Sequence, residues 1–306
     1  MVTAVITGPT GAIGTALCAK LISEGAKVYA VCRRDSSRTD RIPEGAELVF
    51  CSLEELSELP QRIAHADVFY HLAWAKTVGA GRNDMYSQTD NIRYTLDAVK
   101  AAKALGCECF IGAGSQAEYG RHNEPLTPET PCFPENGYGM AKLCAGQMSR
   151  TMCAEYGIRH IWTRILSVYG PNDGESSMIS YVIGSLLRGE EPSLTAGGQM
   201  WDYLFSYDAA EALYLMWKKG RNGSVYPLGS GNIRPLREYI EILRDTVDPR
   251  LPPGLGKNPY GANQVMYLGA DISTLQKELG FKPAYSFERG IKLTIESIKK
   301  ASGNLK

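Results

Sequence analysis

The opening of this chain constrains its fold most. An apolar, strand-like run, Val2-Thr3-Ala4-Val5-Ile6, passes through Thr7-Gly8-Pro9-Thr10-Gly11-Ala12-Ile13-Gly14 straight into a helical segment. Glycine permits a tight turn and a close backbone approach, and a helix that begins there aims its free N–H groups at the turn. In a chain with 32 glycines such a stretch alone is weak evidence. With a strand before it and a helix after it, the arrangement suits a pyrophosphate at a helix N-terminus. Dinucleotide binding by Gly8, Thr10, Gly11, Ala12, Ile13 and Gly14 is therefore predicted.

The alternation continues to about residue 165. Strand-type runs at 4–7, 27–32, 47–51, 68–72, 109–113 and 159–164 are separated by helix-type segments such as 12–24 and 91–105. Strands alternating with helices imply an α/β fold with a doubly wound parallel sheet, the Rossmann type. Beyond Ser167 the rhythm breaks, and helical patterns at 178–188, 208–218, 236–246, 272–279 and 287–300 dominate. One further strand, 223–228, is expected to return to the parent sheet. The predicted organisation is a dinucleotide domain, 1–166 plus roughly 200–230, and a smaller, discontinuous C-terminal substrate lobe, roughly 167–199 plus 231–306.

Thirty-three basic residues balance 33 acidic ones, so nothing marks the chain for nucleic acid. Its eight cysteines include no C-x-x-C pair and no histidine cluster lies near them, so reduced thiols are expected rather than a metal site. No apolar run is long enough to span a bilayer, and the first residues lack a basic segment and cleavage site. A cytoplasmic location is the expectation.

The end of the second strand bears on the choice between NAD and NADP. In Val31-Cys32-Arg33-Arg34-Asp35 the terminal position is a cysteine and two arginines follow. An acidic residue there would accept hydrogen bonds from a ribose 2′-hydroxyl, whereas a guanidinium matches a 2′-phosphate. Arg33 and Arg34 favour NADP. Asp35 keeps NAD open, and a solvated basic turn is the other reading.

Tyr138-Gly139-Met140-Ala141-Lys142 sets a phenol and an ammonium on one helical face. A neighbouring cation favours phenolate, and such a phenol can give a proton to a carbonyl or take one from an alcohol. Spacing alone decides nothing, because about one chance match is expected among 17 tyrosines. Tyr214 and Lys218 supply that decoy. Context separates them: Tyr138 follows a strand whose exit presents Ser115 at a carboxyl-end crevice, whereas Tyr214 sits in an amphipathic helix.

With these residues in hand, the chain resembles the extended short-chain dehydrogenase/reductase family of nucleotide-sugar epimerases, dehydratases and ketoreductases. The resemblance rests on Thr7-Gly8-x-x-Gly11-x-x-Gly14, His71-Leu72-Ala73, Asn91, Ser115 ahead of Tyr119-Gly120, Tyr138-x-x-x-Lys142, Arg164-x-x-Ser167-Val168-Tyr169-Gly170-Pro171 and Ala270-Asp271-Ile272-Ser273. It implies Tyr138 as acid/base, Lys142 as its partner, Ser115 as the hydroxyl polarising the substrate oxygen, and Asn91 as support behind the lysine. Ser52 and Leu53 fall beside the expected adenine, and Leu72, Ala73 and Ile165 beside the cofactor. A homodimer through helices around 86–104 and 138–156 is also implied.

The reaction is read from departures. Sugar 4,6-dehydratases of the family carry Thr-Asp-Glu where this chain has Ser115-Gln116-Ala117. Elimination needs an acid and a base at the last two positions, so dehydration is disfavoured, and Glu118 is one residue late. Preference for NADP suggests a consumed reductant, hence NADPH-dependent reduction of a keto sugar over 4-epimerisation; a non-catalytic NADP sensor is the third reading. Two arginines that usually grip a substrate diphosphate are Trp201 and Gly261 here, and a usual asparagine is Ser167. Either Arg188, Arg250 or Lys257 substitutes, or the substrate lacks a diphosphate. Trp74, Ser115, Gln116, Ser167 and Trp201 are the substrate-binding candidates, with packing as the alternative for both tryptophans. His71 and His160 are expected to be ordinary buried histidines.

Overall fold

A computed structural model describes residues 1–174, 176–301 and 303. In chain order the larger part comprises β1 (Thr3–Thr7), α1 (Ala12–Ser23), β2 (Lys27–Cys32), β3 (Ala46–Phe50), β4 (Val68–His71), α2 (Met85–Ala104), β5 (Cys109–Ser115), α3 (Gly137–Tyr156) and β6 (Arg159–Ile165). There follow β7 (Ser167–Tyr169), α4 (Met178–Leu187), β8 (Met200–Phe205), α5 (Ser206–Lys219), β9 (Ser224–Leu228), β10 (Ile233–Pro235), α6 (Leu236–Val247), β11 (Tyr267–Leu268) and α7 (Phe287–Ala301).

The large sheet is parallel, in the order β3-β2-β1-β4-β5-β6-β9. Successive side chains of a strand face opposite ways, and β1 shows it. Ala4 and Ile6 enter one core with Leu17 of α1 and Leu213 of α5, while Val5 enters a second with Ala98 and Val99 of α2. With helices on both faces, the strands read as continuous apolar runs. The strand order reverses between β1 and β4, and the crevice at that switch point is where open α/β sheets bind ligands.

The expected strand at 223–228 is β9, the last of the large sheet. Helix α2 starts six residues before the expected 91, because Asp84 caps it by accepting a bond from the Ser87 amide. The expected helix at 272–279 is largely a π-helical turn, Leu275–Leu279, closed by Gly280 in the left-handed region.

Periodicity gave no sign of a second sheet, in which β8 pairs with β7, β10 and β11. Its strands of two to six residues are too short to show alternation. Of the expected returning segment 200–230, β8 thus stands in the small sheet, while β9 pairs with β6 in the large one and α5 packs against α1. A third core, built on Ile183, Phe205, Tyr239, Leu243, Phe287 and Ile291, fills the second lobe. No helix among the described residues is long and apolar enough to cross a membrane.

Candidate active site

The β1–α1 turn is built for close approach. Gly8 has φ +74°, and a Cβ there would meet the Ala73 nitrogen at 2.9 Å. A Cβ on Gly14 would lie 2.1 Å from the Gly8 carbonyl oxygen, so these glycines bind the exits of β1 and β4 to α1. Gly11 differs, because a Cβ there would meet nothing within 4 Å. Gly11 also N-caps α1 without a side-chain bond, so the amides of the first turn, Ala12, Ile13 and Gly14, keep their free donors. Open space before an uncapped helix N-terminus fits a pyrophosphate.

That turn forms one wall of a cleft of about 560 Å³ lined by Gly8, Thr10, Gly11, Arg33, Leu53, Leu72, Ala73 and Trp74, among others. Eight predicted positions therefore share one cavity. Ser36 and Arg38 also line it, and the sequence reading passed over both. Of the expected cationic pair only Arg33 lines the cleft, and its Nε lies 3.7 Å from Asp35. Arg34 instead turns onto the Phe50 ring, 5.4 Å from its centroid. Ser52 precedes the cleft-lining Leu53, and its amide donates to Glu55.

Ser115, Tyr138 and Lys142 lie together at the end of β5 and the start of α3. The Ser115 side chain is close enough to the Tyr138 phenol to oppose, as a hydrogen-bonding partner, the rise that burial imposes on it. Ser115 ends β5, where its ladder partner is Ile165 of β6. Its Oγ accepts the Ala117 amide at 3.2 Å, while its own amide donates to Glu118 at 2.8 Å, a reciprocal cap that fixes the hydroxyl. Asn136 caps α3 through the Gly139 amide and starts the helix beside this strand end. Lys142, 3 % exposed, donates to the Ala113 carbonyl, and its ammonium lies 3.7 Å from the Trp74 ring centroid and 5.8 Å from that of Tyr138.

Burial reverses one electrostatic expectation. Lys142 is pushed down to about 7, chiefly by desolvation, so it is a weaker cation than a surface lysine. The Tyr138 phenol is raised by desolvation, against the opposing effects of the Ser115 bond and the Arg82 charge. Arg82, from the loop between β4 and α2, places its guanidinium 4.4 Å from the Tyr138 ring centroid. No spacing rule in the sequence pointed to it.

Asn91 supports the site by another route than the one expected. Its Oδ1 accepts the Ala75 amide, and its Nδ2 donates to the Ala75 and Ser87 carbonyls, which braces the loop carrying Trp74. Gln88 completes the brace by accepting from Trp74 Nε1 at 2.9 Å. Trp74 stands edge-on to Tyr138, with ring centroids 6.1 Å apart.

Glu118 turns away into the core. It pairs with Arg164 at 2.8 Å and takes the Trp162 indole N–H at 3.0 Å. Gln116, partly exposed, is left beside the site with no carboxylate at that position or the next. Ser167 and Trp201 meet across β7 and β8, the indole donating to the hydroxyl at 2.9 Å. Arg188, Arg250 and Lys257, the proposed substitute clamps, each pair with a nearby carboxylate, Glu190, Asp248 and Glu191 respectively. Arg234, unnoticed in the sequence, stands opposite Trp201 in the β10–β8 ladder and pairs with Glu288 at 3.2 Å.

Tyr214 bonds to Glu24 at an exposed site, as befits a decoy. His71 is held by Thr7 and His160 by Ser149; burial lowers them to about 3 and about 4, so both are neutral. All eight cysteines are free, and no group of metal-binding side chains occurs among the described residues.

Comparison with known proteins agrees with this geometry. Residues 4–229 match the model of the NAD dependent epimerase/dehydratase family. A putative UDP-glucose 4-epimerase from Methanocaldococcus jannaschii is 25% identical over 305 residues, covering 96% of this chain and 97% of the relative. A dTDP-glucose 4,6-dehydratase from Xanthomonas campestris is 30% identical over 200 residues, 61% of this chain, so the match spans little more than half (56%) of that protein's length. The solved UDP-glucose 4-epimerase of Thermus thermophilus, in complex with NAD, superposes with a TM-score of 0.87 at 20% identity, over 98% of this chain and 99% of that one.

Proposed function

Because the chain belongs to the NAD dependent epimerase/dehydratase family, we propose that it is a nucleotide-sugar 4-epimerase, which oxidises a sugar alcohol to the ketone and reduces it again on the opposite face. One observation carries this reading: Ser115 and Tyr138 stand together as a proton-transfer pair, and the two positions after Ser115, Gln116 and Ala117, bring no carboxylate to it. Gln116 and Ala117 cannot drive an elimination, and Glu118 is committed to Arg164. Epimerisation displaces the sequence-based preference for ketone reduction. That preference passed through Arg33 alone, whereas a relative aligned along nearly its whole length is named as a 4-epimerase.

A nicotinamide dinucleotide in the cleft supplies the hydride acceptor and, for the return, the donor. Gly8, Gly11 and the first turn of α1 would hold its pyrophosphate, and Leu53 and Leu72 its apolar flanks. Tyr138, as phenolate, takes the proton of the alcohol as the carbonyl forms, then gives it back to the alkoxide of the inverted centre. Ser115 donates to the same oxygen and so steadies its charge as it changes. Trp74, Gln116, Ser167 and Trp201 would face the sugar and its nucleotide, with Arg234 as the cation opposite Trp201 in the β10–β8 ladder.

Arg33 and Arg38, with Ser36, would meet a 2′-phosphate, which supports NADP, although the structurally similar epimerase carries NAD. The same arginines favour a second reading, NADPH-dependent reduction of a keto sugar. A homodimer through α2 and α3 belongs to the proposal, since Met85, Tyr86, Met140 and Met148 are exposed on those helices.

The test incubates the protein with a panel of nucleotide-linked sugars and their 4-keto forms. Interconversion of 4-epimers by proton NMR, with no net change in nicotinamide absorbance, is expected and should vanish in Tyr138→Phe. Stoichiometric loss of NADPH with a keto sugar selects the reductase. Full activity in Tyr138→Phe refutes both.

A further inference from the structure

Arg82 is the arginine that meets the proposed acid/base tyrosine. Its guanidinium faces the Tyr138 ring at 4.4 Å, and among the described residues no carboxylate pairs with it. Among the described residues its side chain makes one hydrogen bond, a long contact of 3.5 Å to the Thr77 carbonyl. Arginine keeps its charge at every working pH. Lys142, the residue that the spacing nominated as the tyrosine's cation, is farther from the ring and is spent on the Ala113 carbonyl and the Trp74 face.

The loop places Arg82 firmly. The Gln88 amide, 1 % exposed, donates to the Lys76 carbonyl at 3.1 Å and to the Gly81 carbonyl at 2.9 Å, fixing the residue before Arg82. A Cβ on Gly81 would meet Lys76 Cβ at 2.9 Å, so a side chain there would push the loop open. Asn83, the residue after Arg82, accepts the Gly137 amide at 3.0 Å, and Gly137 directly precedes Tyr138. A Cβ on Gly137 would lie 3.1 Å from the Arg82 carbonyl oxygen. Cation and phenol are thus registered to each other through both backbones.

We infer that Arg82 is a second cation of the proton-transfer site, a positioning residue that lies over Tyr138 and favours its phenolate. The inference rests on Tyr138 as the acid/base. A positive charge against the face of an aromatic ring is attracted to it, and more strongly once the ring carries a negative charge. The other charged groups facing the phenol do not supply this. Lys142, from the same helix, is turned to Ala113 and Trp74; Glu118, beyond Ser115, opposes ionisation and is held by Arg164; Lys76, in the same loop as Arg82, pairs with Asp84.

The experiment reads the phenol directly. Tyr138 is exchanged for difluorotyrosine, an analogue that ionises nearer neutrality, and titrated by fluorine NMR in the parent, Arg82→Gln and Arg82→Lys backgrounds. Opposite charges at this range shift a pKa by roughly 1–3 units, and partial exposure of Arg82 puts the expectation near the lower end. The midpoint should rise by about one unit in Arg82→Gln and return most of the way in Arg82→Lys. In unlabelled protein, the pH profile of turnover should move in the same direction. An unchanged midpoint in Arg82→Gln overturns the inference, and so does a rise in KM alone with an unmoved titration, which would make Arg82 an anion contact for substrate. Full activity in Tyr138→Phe would sink the epimerase reading separately, since the titration needs no turnover.

Discussion

Glu118→Gln should destabilise the fold more than any other single change near the site. The Glu118 side chain is fully buried and that of Arg164 is 5 % exposed, with Nε and Oε2 2.8 Å apart. Two further donors converge on this carboxylate, the Ser115 amide and the Trp162 indole, and the Arg164 guanidinium also lies over the Tyr119 ring. Glutamine preserves the volume and can still accept from Ser115 and Trp162, but it leaves the Arg164 charge buried without an opposite partner. Removing one member of such a pair costs about 3–5 kcal/mol. At a urea slope of about 3 kcal/mol per molar, that moves the unfolding midpoint down by roughly 1–1.7 M. The double variant Glu118→Gln with Arg164→Met should recover most of the loss, because no charge is then stranded and the glutamine still accepts from Ser115 and Trp162. Equilibrium urea unfolding followed by tryptophan fluorescence measures both. A midpoint for Glu118→Gln within about 0.3 M of the parent, or a double variant worse than the single, would show that charge compensation does not hold this corner together.

Lys142→Met is expected to abolish turnover while stabilising the protein by a few kcal/mol at pH 7. The folded-state pKa of about 7 lies below the ordinary lysine value of 10.5, so the cost of burying this ammonium is full below pH 7 and gone above about 10.5. The stability gain should shrink across that window; thermal unfolding as a function of pH reads it, and a gain that grows with pH would contradict the sign. Gly11→Val should leave the melting temperature near the parent's yet lose the nucleotide on purification, since its side chain enters open space, whereas Gly14→Ala should lower the melting temperature through collision with the Gly8 carbonyl. Combined Arg33→Glu and Arg38→Glu should weaken binding of NADP tenfold or more by calorimetry, against a smaller change for NAD. Equal losses for the two would remove the 2′-phosphate from the argument.

The β/α rhythm, the glycine turn, the strand-end serine and the Tyr138–Lys142 pair were all legible in the sequence. Each is a local code, in which periodicity names the element and the backbone needs of the turn name its residues. Local codes also placed the crevice, because a parallel sheet that begins this way reverses its strand order beside β1. The tertiary structure alone decided which charges face the site. Arg33 lines the cleft while Arg34, one residue on in the turn that follows β2, lies on Phe50 at the end of β3. Arg82 and Arg234 reach their places through a braced loop and a short antiparallel ladder, neither of which leaves a period in the sequence. Burial did the rest: it weakened Lys142 as a cation and locked Glu118 onto Arg164, because desolvation depends on every neighbour at once and not on the residue's own position in the chain.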